Sequence, residues 1–278
     1  MRAVRLLCCA LMVAAPAASL ASEEDVESPR VVPYRPSVST PADLSAPGWL
    51  EGEFGALRLK SRGENAAALR RDSLPYSLKL AFSPDWGVRI GGELGVRQLG
   101  ADGTRETGFG DTAVVLKRRL AIDEDSAFGI ELGANAQTAK RGLGTGSGKA
   151  DYSATGIYSK DAGPWHTDLN LGATRFGAVD SGESRVQTAA AASLSRAFGE
   201  RWGLVGEFSG TRQHGAPSTA QFLSAVNYSL SKSAVIDFGG ARGLNHASPK
   251  WAVFVGATVL LGKVFSCSRC ADFSGRTS

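Results

Sequence analysis

The feature that most constrains this chain is a recurring alternation of apolar and polar residues, broken by connections of two unlike lengths. In the stretch from Gly108 to Gln137, the residues Phe128, Ile130, Leu132, Ala134 and Ala136 alternate with Gly129, Glu131, Gly133, Asn135 and Gln137. Just before them, Thr112, Val114, Leu116, Leu120 and Ile122 alternate with Asp111, Ala113, Val115, Lys117 and Arg119. A period of two places one set on each face of a sheet. An apolar sheet face needs a cover, and the pattern fills so much of the chain that no covering layer is left. Lipid is the simpler cover.

Twelve candidate strands follow Gly48: 49–60, 73–82, 87–98, 111–122, 127–138, 151–160, 165–176, 185–197, 202–211, 219–230, 234–242 and 251–261. Each is near the roughly 9–11 residues that a tilted strand needs to cross a bilayer. In GVRIGGELGVR, the residues Val88, Ile90, Gly92, Leu94 and Val96 face one way, and Arg89, Gly91, Glu93, Gly95 and Arg97 the other. Every second connection is short, such as 83–86, 123–126 and 161–164, whereas 61–72, 99–110 and 139–150 are longer. Aromatic residues gather beside the short turns: Phe82, Trp86, Phe128, Trp165, Phe198 and Trp202. Short turns at one rim, longer loops at the other and an aromatic girdle are the signature of a bacterial outer-membrane barrel. The expected fold is all-β: a closed antiparallel transmembrane barrel of about twelve strands, with short periplasmic turns and longer outer loops. Two charges sit awkwardly in it, because Arg58 and Arg118 fall on the lipid face.

The flanks divide further. Arg2 and Arg5 precede the apolar run LLCCALMVAA, and Ser19-Leu20-Ala21 supplies a small-x-small cleavage site. Residues 1–21 therefore read as a secretory signal peptide, with a mature chain starting at Ser22. Residues 22–48 are polar and punctuated by Pro29, Pro33, Pro36, Pro41 and Pro47. Such a composition buries too little to offset its ordering entropy, so an extended or disordered segment is expected. The barrel is assigned to 49–265 and a tail to 266–278.

The candidate functional surface is the lumen. By parity, Lys79, Arg89, Glu93, Arg97, Asp111, Lys117, Arg119, Glu131, Asp168, Glu207 and Asp237 all point inward. Both signs are present, so these charges either brace the wall in pairs or form a constriction that screens solutes by charge and size. Twelve strands lie between filled eight-stranded barrels and open porins of roughly 16–18 strands, which implies a narrow, partly blocked passage. The basic excess among Arg89, Glu93, Arg97, Lys117, Arg119 and Glu131 implies a mild preference for anions or neutral solutes.

Other chemistry finds little support. GLGTGSGK, from Gly142 to Lys149, has Leu143 and Ala150 where a phosphate loop needs Gly and Ser or Thr. Cys267 and Cys270 form a C-x-x-C without the further ligands zinc requires; a local disulfide or a tail without function is the simpler reading. No metal and no cofactor is expected. The net charge of +4 comes without a basic cluster interleaved with aromatics, so nucleic acid is excluded as a partner. His166 lies beside Asp168, a pair that a nearby serine would turn into a hydrolase site.

The blocks GFGDTAVVLKRRL and FGIELGANAQT resemble the Gly-x-Gly-Asp strand and its hairpin partner in the phenol-degradation meta-pathway family of outer-membrane transporters. ADYSATGIYSKDAGPWHTDLNLGATRFG continues the likeness, which runs from Trp49 to Leu261. The chain departs from it at Gln137-Thr138-Ala139, where the family often has Pro-Thr-Gly. The resemblance implies passive passage of small hydrophobic or aromatic compounds. The reading is then a monomer, not an enzyme, in a Gram-negative outer membrane, exported through the periplasm and inserted by the barrel assembly machinery. Its partners are outer-membrane lipid and a small-molecule solute. Two rivals stand beside it: a lipid-modifying hydrolase of barrel architecture, and a structural or adhesive barrel.

Overall fold

The computed structural model describes residues 28–62, 69–139 and 148–266. The expected signal peptide, most of the GLGTGSGK loop, and Cys267 and Cys270 lie outside these residues. The chain forms β1 (Trp49–Lys60), β2 (Arg70–Ala81), β3 (Trp86–Leu99), β4 (Arg105–Gly108), β5 (Thr112–Ala121), β6 (Ser126–Ala136) and β7 (Asp151–Ala162). There follow β8 (Trp165–Arg175), β9 (Val186–Phe198), β10 (Trp202–Gln213), β11 (Thr219–Ser231), β12 (Ala234–Gly243) and β13 (Trp251–Lys263). Each strand pairs antiparallel with its neighbours, and β1 pairs with β13, so the sheet closes into a barrel. Closure leaves no unpaired edge for lipid to meet, which a membrane demands.

Twelve walls come from thirteen strands because β4 and β5 are one staff with a break. Both pair with β3, and between them the Gly110 amide donates to the Glu93 carbonyl at 3.0 Å. The outer ends of β3 and β4 form a hairpin that the sequence pattern did not separate from its loop.

The outward face carries the apolar belt: Phe54, Ile90, Val114, Ile130, Leu171, Phe208, Phe238 and Val255 are all exposed. At the short-turn rim the aromatic girdle is present. Trp202 packs on Tyr228 with centroids 4.6 Å apart, and Phe128 on Tyr158 at 5.3 Å. Arg118 does face outward, but at this rim, with its guanidinium 5.3 Å from the Trp86 ring. Interfacial placement is how a long basic side chain escapes the hydrocarbon.

One wall departs from strict alternation. Ser73 pairs with Val96 and Pro75 with Glu93, so Leu74 stands opposite both Leu94 and Gly95. This bulge on β3 inserts one residue and reverses the parity beyond it. Val96 turns inward, 2% exposed, and Arg97 turns out. The inward placement expected for Arg97 is thereby corrected.

The larger correction concerns residues 28–48, which are ordered and thread the lumen. Val31 donates to the Lys232 carbonyl at the β11–β12 turn, and Gly48 donates to the Ala81 carbonyl at the end of β2. Both anchors sit at the short-turn rim, so the segment enters and leaves on that side and loops up between. Val31, Tyr34, Ser39, Ala42 and Ser45 are buried within it.

Candidate functional site: an occupied lumen

Five prolines prevent this segment from pairing as a strand, since each lacks an amide donor. The donors that remain find side-chain acceptors on the wall instead. The Val32 amide donates to the Glu51 carboxylate at 3.2 Å, and the Tyr34 amide to Glu53 Oε1 at 2.7 Å. Ser39 donates through both its amide and its hydroxyl to Glu207 Oε2, each at 2.8 Å. The Thr40 amide reaches Asn170 Oδ1 at 2.9 Å, and the Ala42 amide reaches Ser159 Oγ at 2.7 Å. Buried polar groups require partners, and here segment and wall complete each other.

Charges are matched in the same way. Arg35 forms a two-point contact with Asp237, both bonds 3.2 Å long. Gly55 and Gly256 face each other across β1 and β13 to admit it: a Cβ at either position would lie 2.7 Å or 2.4 Å from the guanidinium. Lys79 sits between Glu51 at 3.1 Å and Glu53 at 2.8 Å, all three nearly free of solvent. Lys117 pairs with Glu131 at 3.3 Å and also donates to the Pro41 carbonyl. Both lysine ammonium groups lie over the Tyr34 ring, at 4.1 and 4.2 Å from its centroid. Burial holds the Tyr34 phenol well above the usual tyrosine range, so it stays neutral and donates to the Asp43 carbonyl.

Most of the expected lumenal residues converge on this assembly. Lys79, Lys117, Glu131, Asp168, Glu207 and Asp237 are buried inside the barrel. Arg89 lies 3.6 Å from Glu131, and Arg119 binds Asp43 of the segment at 2.8 Å. Glu93 takes Arg71 near the outer rim. Asp111 lies just before β5 and accepts the Ala139 amide at 3.0 Å. Arg97 alone is on the other side of the wall. The sequence reading missed Glu51 and Glu53, which lie on the poorly alternating first strand. It also missed Tyr34, Arg35, Ser39, Thr40 and Asp43, because a proline-rich composition was read as disorder. Two carboxylates two residues apart on one strand face were the available signal, since such a pair needs a cation.

His166 does face inward. Its Nδ1 lies 2.6 Å from Asp161 Oδ1 and its Nε2 3.0 Å from Asp168 Oδ1. Both ring nitrogens therefore meet carboxylates. The nearby Ser195 hydroxyl donates to the His166 backbone carbonyl, and Ser159 to Asp168.

Beyond the apex of the segment, at Val38 and Thr40, the lumen opens into a vestibule of about 380 Å³. Small residues such as Thr155, Gly172, Ala189, Ala191 and Ser209 make up much of its wall, beside Arg89, Glu131, Asn170 and Gln221. On the inward faces of β10–β13, Val205, Leu223 and Ala225 form an apolar cluster joined by Ala241 and Phe254. An apolar patch inside a barrel is unusual where a water-filled pore would be polar.

The structure is similar to an outer-membrane channel from Pseudomonas putida F1, with a TM-score of 0.63 at 13% identity, covering 79% of this chain and 98% of that one. It is also similar to the NanC porin (TM-score 0.53, 6% identity, 76% and 98% covered) and the KdgM porin (0.51, 10%, 75% and 98%). At these identities the likeness is one of fold. No curated protein sequence matches significantly. The family described as "MetA-pathway of phenol degradation" matches residues 77–261, and the chain belongs to that family.

Proposed function

We propose that this chain is a passive conduit for small molecules across the outer membrane, with hydrophobic or aromatic compounds as its solutes. The observation that carries the reading is the way the lumen is closed. A tethered segment held by polar contacts fills it, rather than side chains of the wall packing against each other. Such a closure opens by exchanging hydrogen bonds for water, with no loss of the barrel. The apolar cluster of Val205, Leu223 and Ala225, with Phe254 packed against it, is buried in the closed lumen and would offer a hydrophobic solute contact once the closure opens. The phenol-degradation family description supports the same class of solute. Hydrolysis is less well supported, since both His166 nitrogens are engaged by carboxylates and none is left to activate a serine.

The test is uptake of a labelled monoaromatic compound, at limiting concentration, by Gram-negative cells with and without the full chain. Faster uptake with the chain, and none for a hydrophilic sugar, is the expected result. Equal uptake in both strains, with the protein present in the outer-membrane fraction, overturns the proposal. N-terminal sequencing of that fraction checks the Ser22 start.

A further inference from the structure

The outward face of β1–β4 at the long-loop rim does not resemble the rest of the belt. Register brings Arg58, Asp72, Arg97 and Thr107 into one row across four strands. The next outward row holds Lys60, Arg70, Leu99 and Arg105, with Trp251 at its end. Five cations thus share one wall with one carboxylate. Asp72 accepts Arg58 at 2.6 and 3.3 Å and has Arg70 at 3.4 Å. Arg58 and Arg70 still leave about half of their side chains exposed, 53% and 44%. The bulge on β3 completes the row: if Gly95 continued the regular alternation instead, Arg97 would point into the lumen.

Beneath the cations, toward the middle of the belt, lies a groove of about 690 Å³ lined by Ala56, Leu74, Gly95, Val253 and Val255. Arg58 and Arg97 stand at its edge. The bulged position is a glycine, and its missing side chain leaves only Leu74 to narrow that part of the groove. Among the described residues, the other outward strand arginines of this rim are single: Arg175 pairs with Tyr152 and Val186, Arg212 with Thr188, and Arg242 with Phe222.

We infer that this wall binds an anionic glycolipid of the outer leaflet, its phosphate held by Arg97 and Arg105 and one acyl chain laid in the groove below. Arg58 is already engaged by Asp72, which stands between it and Arg97 on β2. Arg97 and Arg105 are diagonal neighbours on β3 and β4, with Cβ atoms about 7–8 Å apart or less, a span that a phosphate bridges. Arginine is suited to that role, because its planar fork matches phosphate oxygens two at a time. Cations facing lipid are tolerated only at headgroup depth, where an anion supplies the missing charge. The inference rests on the outer-membrane reading for which leaflet the wall meets, and on nothing about transport.

The experiment measures binding of bisphosphorylated lipid A to the purified, folded full chain in detergent. Dephosphorylated lipid A and inorganic phosphate serve as the other probes. Arg97→Gln/Arg105→Gln should weaken lipid A binding about tenfold or more, while Arg175→Gln/Arg212→Gln leaves it unchanged. Folding is verified by heat-modifiable mobility; if the double variant does not fold, Arg97→Gln alone carries the test and should weaken binding severalfold. Equal binding by wild type and variant overturns the inference, as does an equal loss in the control pair. Equal affinity for dephosphorylated lipid, or displacement by inorganic phosphate at comparable concentration, overturns it too. Absence of the protein from the outer-membrane fraction would refute the membrane reading separately from this result.

Discussion

The two halves of the lumen are built from the same strands and behave differently. On the short-turn side, Glu51, Glu53, Lys79 and Glu131 are buried charges, each satisfied by another charge, while Glu207 at the apex meets Ser39 through one oxygen and leaves Oε1 without a partner. On the long-loop side, Ala189, Ala191, Gly172 and Thr211 line an open vestibule. A buried charge is strongly destabilising without a partner, so the lower half cannot be altered piecemeal. The upper half keeps its charged and polar pairs, such as Arg71 with Glu93, on the wall and is not filled by the segment, so its space is free to serve a solute. Closure and passage are therefore assigned to different levels of one barrel.

The comparison breaks first at Lys79. Lys79→Met leaves Glu51 and Glu53 facing each other without a cation, and should cost about 3–5 kcal/mol. Ala189→Ser in the vestibule should stay within about 0.5 kcal/mol of wild type. Urea unfolding in lipid vesicles measures both, and similar losses would erase the distinction between the halves. Leu94→Arg probes the outside of the same wall. It sets a charge against lipid before the bulge, at a cost of about 2–4 kcal/mol if near the midplane and less toward the rim. Unfolding in vesicles of different thickness separates the two depths, and no loss in any of them would mean that position 94 does not meet lipid.

Glu207→Gln sharpens the boundary between the halves. It weakens the grip on Ser39 at the segment's apex by roughly 1–2 kcal/mol, the difference between a charged and a neutral acceptor. Single-channel conductance should rise, with longer open events, while the folded fraction hardly changes. Unaltered conductance would show that the apex does not control the passage. The smallest effect is expected at the short-turn rim. Arg118→Leu removes the contact with Trp86 and should cost about 0.5–1 kcal/mol, read from the same unfolding curves.

Much of this molecule was legible in its sequence, for a physical reason that also marks the failures. Strands such as Ser126–Ala136 carry a side chain at nearly every position, so alternation states which face is which. GGELGVR at the end of β3 does not: a glycine satisfies either parity, and the bulge at Gly95 passes unseen while it moves Arg97 across the wall. The charged residues of the lumen were named correctly as a group, yet their partners were not. Arg119 was placed inside, but nothing in its own strand announces Asp43.

By itself the sequence determined the barrel, because period-two patterning, strand length and loop length are local properties that lipid and water read directly. The state of residues 28–48 is not local. Five prolines and few apolar side chains give such a segment no reason to order alone, and composition correctly reports that much. Its order comes from acceptors supplied by β1, β6, β7, β8 and β10, brought together only when the sheet closes. Tertiary structure decided whether the lumen is open because the groups that close it lie up to 220 residues apart along the chain.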